Sequence, residues 1–256
     1  MANIFVRAPR HHGTSKFETH WQNPGMDRRI LITGASRGIG RAIAQKLAAP
    51  GVTLFLHGRD AAALAETRDA VEKRGGIVVM INADIGESVQ IDRIVAEVGS
   101  ESLDVLVNNA GIAVVKPFEQ VSLDDWQRTL AVNVTAPFLL TQKFAPQMGA
   151  GSSVVNILSV AAKTGFPGWS AYAMSKFAFE GFSQAIREEL RPRGIRVLNI
   201  YPAATATDIW SGVEGEWSRA KMMSPDDVAE AVAFALARPG SVAVESITVS
   251  NTAGAL

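Results

Sequence analysis

Three things are scarce in this sequence of 256 residues: cysteine, an excess of either charge, and long apolar runs. The chain has no cysteine, so it has neither a disulfide framework nor a thiolate nucleophile, which suits a cytoplasmic protein. Its 25 basic and 25 acidic residues cancel, and no basic stripe with interleaved aromatic residues occurs. We therefore expect no nucleic-acid partner.

The longest uncharged stretch runs from Phe144 to Ala162 and is interrupted by Pro146, Gly149 and Gly151. Such a stretch indicates the end of a helix, a turn and a strand rather than a membrane span. The start of the chain shows no apolar core of a signal peptide. We therefore expect neither a membrane partner nor a secretion signal.

The length and the 47% hydrophobic content suit one large domain with a packed core. We expect a single domain over residues 26–256, preceded by an N-terminal extension, residues 1–25, that is disordered or dispensable. His11, His12 and His20 in the extension have no partner carboxylates, so their pattern favours a solvated tail over a metal site. A disordered tail, a targeting extension and an artefact of start-site choice remain open for this segment.

From about Arg29 onward, short β-branched runs alternate with longer helical patterns, which predicts a parallel sheet covered on both faces. The predicted strands, each expected to be buried on both sides, are Ile30–Thr33, Val52–His57, Ile77–Ile81, Val105–Asn108, Ser153–Leu158, Arg196–Ile200 and Ile247–Val249. The predicted helices are Ile39–Ala48, Ala61–Arg74, Val89–Val98, Leu123–Met148, Ala171–Arg191 and Pro225–Ala237. The pattern predicts an α/β fold, a doubly wound parallel sheet of the Rossmann type with about seven strands.

Tyr172 and Lys176 are spaced so that both side chains share one face of a predicted helix, and Ser159 precedes them. A cation about 5 Å from a phenol, at an effective dielectric of about 20, lowers the phenol pKa from about 10 toward 8. Such a phenol can exchange a proton with a carbonyl or alcohol oxygen during hydride transfer. The alternative is an ordinary pair on a helix surface.

A glycine-rich turn, Gly34-x-x-x-Gly38-x-Gly40, follows the first predicted strand and opens the first helix. Backbone amides at a helix N-terminus attract a pyrophosphate, and glycines allow the backbone to approach it closely. The spacing matches neither a Walker loop nor Gly-x-Gly-x-x-Gly. A plain turn between strand and helix is the alternative.

These motifs together resemble the short-chain dehydrogenase/reductase family over about residues 29 to 250. The resemblance implies a dinucleotide cofactor bound by Gly34, Ser36, Arg37, Gly38, Ile39, Gly40, Arg59, Asp84, Ile85, Asn109, Ala110, Gly111, Tyr172, Lys176, Pro202 and Thr205. It also implies a catalytic set made of Asn133, Ser159, Tyr172 and Lys176, and no metal site.

Within that resemblance, Tyr172 protonates the carbonyl oxygen, Ser159 hydrogen-bonds the same oxygen, and Lys176 lowers the pKa of the tyrosine and binds the nicotinamide ribose. Asn133 bends the central helix and holds a relay water. Simpler alternatives remain, since Asn133 could be a helix kink and Ser159 a hydroxyl bonded to the backbone. Asn108 and Asn109 could likewise be turn formers.

The choice of dinucleotide depends on the end of the second strand, where a carboxylate would bind the ribose 2′-hydroxyl. The family's acidic position falls on Gly58, the next residue is Arg59, and Arg37 lies in the glycine-rich turn. Two guanidiniums can hold a 2′-phosphate, so we expect NADP(H) to be preferred over NAD(H). An alignment shifted toward Asp60 stays open.

Aromatic and apolar residues after Pro202, and between Ser159 and Tyr172, predict an apolar substrate pocket under a mobile loop. Its candidate lining residues are Phe166, Trp169, Ile209, Trp210, Trp217, Met222 and Met223. Ordinary packing or a subunit contact is the alternative. The family resemblance implies a homotetramer or a homodimer built on the helices Leu123–Met148 and Ala171–Arg191.

The sequence thus predicts an NADPH-dependent oxidoreductase that moves a hydride between nicotinamide and a carbonyl or secondary alcohol. The expected partner is an apolar small molecule such as a ketone or a 3-oxoacyl compound. Two alternatives remain: an enzyme that works mainly as an alcohol dehydrogenase, and a catalytically silent protein that senses dinucleotides.

Overall fold

A computed structural model describes residues 27–213 and 221–252. The predicted N-terminal extension with its histidines, and Trp217, lie outside the described residues. The strands are β1 (Arg28–Thr33), β2 (Val52–Gly58), β3 (Ile77–Asn82), β4 (Val105–Asn108), β5 (Ser153–Ile157), β6 (Arg196–Pro202) and β7 (Ser246–Val249). The helices are α1 (Gly38–Leu47), α2 (Ala61–Glu72), α3 (Ser88–Val98), α4 (Leu123–Leu130), α5 (Ala136–Phe144), α6 (Ser170–Leu190) and α7 (Pro225–Leu236).

The seven strands form one parallel sheet in the order β3-β2-β1-β4-β5-β6-β7. One core cluster packs α1, α2 and α7 on one face of the sheet, and a second packs α3, α5 and α6 on the other. The predicted doubly wound parallel sheet is therefore confirmed. None of the helices in the described ranges combines the length and apolar character that crossing a membrane requires.

Two predictions about individual elements are wrong. The continuous helix Leu123–Met148 is divided, because a π-helical turn at Ala131–Thr135 separates α4 from α5. The strands β3 and β7 are not buried on both sides, since Ile77 of β3 is 59% exposed and β7 contains no buried residue. Both exposures follow from the positions of β3 and β7 at the two edges of the sheet.

Three of the helices, α2, α4 and α7, begin at side-chain caps. Ser122 and Asp125 form a capping box at the start of α4, and Ser224 and Asp227 form another at the start of α7. The carboxylate of Asp60 caps α2 by accepting a hydrogen bond of 3.0 Å from the backbone amide of Ala63. These caps fix where the loops before these three helices end.

A ladder of buried asparagines crosses the middle of the sheet. Asn108, Asn156 and Asn199 lie in register on β4, β5 and β6. Asn108 Nδ2 donates to Asn156 Oδ1 over 3.0 Å, and Asn156 Nδ2 donates to Asn199 Oδ1 over 3.3 Å. Thr141 of α5 and Ser183 of α6 also bond to the ladder, which ties both helices to the sheet.

The order of strands turns around between β1 and β4, so the connections that follow these strands run to opposite sides and leave a crevice beyond the carboxyl ends. Thr33, at the end of β1, is 1% exposed. Its hydroxyl donates to Val107 O over 3.1 Å and accepts from the backbone amides of Asn109 and Ala110 over 2.9 and 3.0 Å. One side chain thus joins the two strands that border the crevice.

We expect Thr33→Val to lower the free energy of unfolding by about 2 kcal/mol, because valine has the same shape but leaves these backbone groups without their partner. Thr33→Ser keeps the hydroxyl and serves as the matched control, with an expected loss below about 1 kcal/mol. Urea denaturation measures both variants. Equal stability of the valine and serine variants would contradict this role of the hydroxyl.

Candidate active site

A cleft of about 1180 Å³ lies at the carboxyl ends of the strands. The residues predicted for the catalytic, cofactor and substrate sites line this cleft, except Gly40, Asn133, Met222 and Met223, and Trp217 lies outside the described residues. The lining also includes residues that were not predicted, among them His57, Arg128 and Thr207. No local motif marks these three, because each reaches the cleft only through the packing of distant segments.

The glycine-rich turn has the geometry of an anion site. Gly34 and Gly38 have φ angles of 68° and 56°, which disfavour a side chain. At Gly40, a Cβ would stand 2.2 Å from Gly34 O, so only glycine allows this close approach. The first backbone amides of α1 have no acceptor within the helix and face the turn, where a phosphate could accept their hydrogen bonds.

The end of β2 has no room for an acidic side chain in this arrangement. A Cβ at Gly58 would lie 2.1 Å from Ser36 Oγ. That hydroxyl is buried and has no hydrogen-bond partner among the described residues, so it is a polar group available to a ligand. The alternative alignment through Asp60 is disfavoured, because the Asp60 carboxylate is occupied as the cap of α2.

Asp84 is held by arginines at the same end of the cleft. Arg128 Nη2 lies 2.7 Å from both carboxylate oxygens of Asp84, and Arg59 Nη1 lies 3.9 Å from Oδ2. Burial acts to raise the pKa of Asp84, but hydrogen bonds from Arg128 and the Gly86 amide, with the two guanidinium charges, hold that pKa below its ordinary value. Asp84 is therefore a carboxylate at neutral pH.

The segment after β6 lies against the glycine-rich turn. A Cβ at Gly38 would come within 3.1 Å of Thr207 Cγ2, and Arg37 Nη1 lies 3.5 Å from Asp208 Oδ2. The Thr205 hydroxyl donates to Ala203 O over 3.0 Å, so its hydrogen is used within the loop. Thr207 rather than Thr205 is thus the threonine that contacts the turn.

Asn133 lies in the π-helical turn and is 1% exposed. Its Oδ1 accepts from Ile112 N over 2.9 Å, and its Nδ2 donates to Ile112 O over 2.9 Å and to Ser175 Oγ over 3.0 Å. Every polar atom of the side chain is therefore bonded to protein. Asn133 fixes the segment beside Gly111, where a Cβ would lie 3.8 Å from Lys176 Nζ.

Tyr172 and Lys176 project from the first turns of α6 into the cleft and are 8% and 4% exposed. Lys176 Nζ lies 5.6 Å from the centre of the Tyr172 ring and donates to Ile157 O over 3.0 Å. Ser159 follows β5, and its Oγ accepts from Ala161 N over 3.1 Å. The alternative of an exposed pair on a helix surface is thus excluded.

The sequence predicts that Lys176 lowers the pKa of Tyr172, and for the protein without a cofactor this prediction is wrong. Burial raises the pKa of Tyr172, and an interaction with the Ser159 hydroxyl only partly offsets it. Burial also lowers the pKa of Lys176 to about 8. The lysine charge favours the phenolate, but burial disfavours the charged forms of both side chains. In this cleft the effect of burial is the larger of the two.

Aromatic side chains form a wall beside the phenol. The Trp169 ring meets the Tyr172 and Trp210 rings edge to face, with centroids 5.5 Å apart in both pairs. Trp210 Nε1 donates to Thr205 O over 2.8 Å. Met222 and Met223, predicted for the same pocket, are instead buried outside the cleft lining, at 7% and 4% exposure.

Within residues 27–213 and 221–252, no three His, Asp or Glu side chains converge as a metal site requires. The polar groups of the cleft instead divide into two sets. Guanidiniums and helix amides line the end near α1 and β2, and a phenol, a hydroxyl and an ammonium line the end near α6. The first set suits phosphates, and the second suits proton exchange with an oxygen.

Comparisons with known proteins agree with this geometry. Residues 28–216 match the family model described as short chain dehydrogenase. The chain is 34% identical to L-2,3-butanediol dehydrogenase of Corynebacterium glutamicum, over 76% of this chain and 78% of that protein. It is 30% identical to a 3-oxoacyl-[acyl-carrier-protein] reductase of Synechocystis sp., over 88% of this chain and 95% of that protein.

Among solved structures, the chain resembles a short chain dehydrogenase from Burkholderia cenocepacia in complex with NADP. The TM-score is 0.78 and the sequence identity is 34%, with 88% of this chain and 97% of that chain covered.

We expect the free energy of unfolding of the wild type, minus that of Lys176→Met, to increase as the pH rises from about 8 to 10.5. Folding lowers the lysine pKa from 10.5 to about 8, so the unfolded chain binds an extra proton in that window. Stability therefore rises with pH, by up to about 3 kcal/mol, and is lost again as pH falls through 8. Urea denaturation at pH 7.5 and 10 measures the change, and a constant difference between the two proteins would contradict it.

Proposed function

The chain belongs to the short-chain dehydrogenase/reductase family and is an oxidoreductase of that family, and from this we propose that it reduces an apolar carbonyl compound with NADPH. One observation carries the proposal. The Tyr172 phenol, the Ser159 hydroxyl and the Lys176 ammonium line the same cleft as the glycine-rich turn that opens α1. A proton donor therefore shares one crevice with a phosphate-binding end, as reduction by a dinucleotide requires.

In this proposal, Tyr172 is the general acid. Its raised pKa keeps the phenol protonated at neutral pH, which is the form that delivers a proton to a carbonyl oxygen. The Ser159 hydroxyl bonds to the same oxygen and stabilises the negative charge that develops there. The bound cofactor supplies the hydride, which the carbonyl carbon receives.

Lys176 and Asn133 support that proton transfer. The ammonium of Lys176 stabilises the phenolate left behind, since the Nζ atom lies 5.6 Å from the ring centre. We propose that the same ammonium also contacts the nicotinamide ribose. Asn133 acts through position, because its bonds to Ile112 fix the loop that runs beside Lys176.

Alcohol oxidation is the second candidate, because the same groups run the reaction backwards when the phenol is deprotonated. The similarity to a butanediol dehydrogenase favours it. Burial of Tyr172 disfavours the phenolate that oxidation needs, so the protonation state at neutral pH suits reduction, while the ratio of reduced to oxidised cofactor sets the net direction.

NADP(H) is the proposed cofactor. Gly58 leaves no carboxylate to repel a 2′-phosphate, and the unpartnered Ser36 hydroxyl lies beside it. Arg59 and Arg37 are 58% and 64% exposed along the same cleft, so their guanidiniums are accessible to a phosphate. The similarity to a dehydrogenase crystallised with NADP supports this choice.

The substrate is proposed to be an apolar ketone or 3-oxoacyl compound that packs on the aromatic wall. Trp169 contacts both Tyr172 and Trp210, so a ring or acyl chain placed there lies next to the phenol. Phe166 and Ile209 complete the apolar lining. The similarity to a 3-oxoacyl reductase supports the second class.

A homotetramer or homodimer is the proposed assembly. Phe138 of α5 and Phe177 of α6 are 40% and 47% exposed, although each is a large apolar side chain. A second copy of the chain that covers these rings would remove them from water.

We expect Tyr172→Phe to lower kcat by at least about a thousandfold, because the proton donor is lost while the ring and its packing remain. NADPH oxidation at 340 nm against a panel of ketones, aldehydes and 3-oxoacyl thioesters measures this loss. The matched control is Tyr201→Phe, since Tyr201 is buried outside the cleft and bonds to Glu180. The proposal fails if the wild type turns over none of these compounds, or if both variants keep wild-type activity.

For the cofactor, we expect Arg37→Ala and Arg59→Ala each to raise the KM for NADPH about tenfold and to change the KM for NADH less than about twofold. A lost guanidinium contact with the 2′-phosphate accounts for that difference. Arg93→Ala is the control, because Arg93 is exposed on α3 and does not line the cleft. A wild-type enzyme with a lower KM and a higher kcat for NADH would show that the cofactor assignment is wrong.

A further inference from the structure

One buried titratable residue of the cleft has no part in the proton transfer. His57 occupies the penultimate position of β2, is 2% exposed, and lines the cleft. It is the only histidine of residues 27–213 and 221–252. Its role at this end of the cleft depends on the groups that its two ring nitrogens bond.

Both ring nitrogens have backbone partners of opposite kind. The Gly34 amide donates to Nδ1 over 3.4 Å, and Nε2 lies 3.0 Å from Ala83 O. An amide can only donate and a carbonyl can only accept, so Nδ1 is bare and Nε2 carries the proton. The ring is therefore neutral and has one defined tautomer.

Burial and the neighbouring charges also favour a neutral His57 ring. Burial lowers the pKa of His57 to about 4, and the charge of Arg59 acts in the same direction. The bond to Ala83 and the charge of Asp84 act in the opposite direction but do not overcome burial. A cationic His57 that binds a pyrophosphate is thereby disfavoured, and its Nδ1 already has a partner.

The two partners belong to the two loops that form the cofactor end. Gly34 begins the glycine-rich turn, and Ala83 directly precedes Asp84. The main chain adds further links, since Ala35 N donates to His57 O over 2.8 Å and Ala83 N donates to Gly58 O over 3.2 Å. The imidazole thus connects both loops to each other through the end of β2.

The bond from Gly34 also determines which amides face a ligand. Because Gly34 N points at the imidazole and Ala35 N points at His57 O, neither amide is directed at the phosphate site. The amides that remain belong to the first turn of α1. Loss of the imidazole would release Gly34 N and loosen the turn that presents them.

We propose that His57 is a positioning residue that sets the distance between the glycine-rich turn and the Asp84 loop, and so controls the affinity for the dinucleotide. The inference rests on the proposed NADP(H) site. The end of β2 thus has a second role besides the absence of an acid at Gly58, since its histidine aligns the glycine-rich turn with the Asp84 loop.

Two amide variants separate the two bonds of the ring. The side-chain oxygen of asparagine takes the place of Nδ1, so His57→Asn keeps an acceptor for Gly34 N and loses the bond to Ala83 O. The side-chain nitrogen of glutamine takes the place of Nε2, so His57→Gln keeps the donor to Ala83 O and loses the acceptor for Gly34 N. His57→Leu removes both bonds.

Dissociation constants for NADPH and for adenosine 2′,5′-bisphosphate test the proposal, because the second ligand lacks the nicotinamide half and its phosphate. We expect His57→Gln and His57→Asn each to weaken both ligands about fivefold, because each variant loses one of the two bonds and the bisphosphate still carries the phosphates that face the turn. We expect His57→Leu, which loses both bonds, to weaken NADPH at least tenfold. At saturating NADPH, kcat should stay within about twofold of the wild type in all three variants.

Phe55→Leu is the matched control, because Phe55 lies two residues earlier on the same face of β2, is 3% exposed, and does not line the cleft. It should lower the melting temperature without changing either dissociation constant. The proposal is overturned if His57→Leu binds NADPH within twofold of the wild type, or if Phe55→Leu weakens it equally. If His57→Leu does not fold, wild-type affinity for NADPH in both the asparagine and the glutamine variants overturns it, and a fivefold loss in both supports it.

A wild-type chain that binds neither NADPH nor the bisphosphate would overturn the proposed function together with this inference. A wild type that binds and oxidises NADPH while the His57 variants bind it normally would overturn this inference alone.

Discussion

The hydroxyl of Thr33 is the contact on which the crevice depends. It joins the ends of β1 and β4, between which the strand order turns around, through one donated and two accepted hydrogen bonds. Asn109 reinforces the junction, since its Nδ2 donates to Thr33 O over 2.8 Å and to Gly34 O over 3.2 Å. The glycine-rich turn and the segment beside Lys176 are therefore held in a fixed relation by the protein itself.

Burial decides the electrostatics of the whole cleft. It raises the pKa of Tyr172, lowers that of Lys176, and keeps His57 neutral, although Lys176 lies near the Tyr172 ring and Asp84 lies near His57. Asp84 is the exception, because hydrogen bonds from Arg128 and Gly86 overcome the cost of its burial. Proton donors thus lie at one end of the cleft and a network of fixed charges at the other.

Much of the fold could be predicted because the relevant signals are local. β-branched runs located all seven strands, and glycine spacing located the turn before α1. The family resemblance implied a bend at Asn133, but the π-helical form of the turn at Ala131–Thr135 could not be predicted, because none of its residue types dictates that hydrogen-bond pattern. The places of Arg128 and His57 in the cleft could not be predicted, because their hydrogen-bond partners are 44 and 26 residues away in the sequence.

The junction at Thr33 has a consequence for how the chain acquires its shape. Thr33 and Asn109 are 76 residues apart, so closing this loop costs conformational entropy before the contact contributes any stability. The crevice is thus complete only after β4 has paired with β1. A nucleotide can capture only chains that have passed this step, and it would slow unfolding more than it speeds folding.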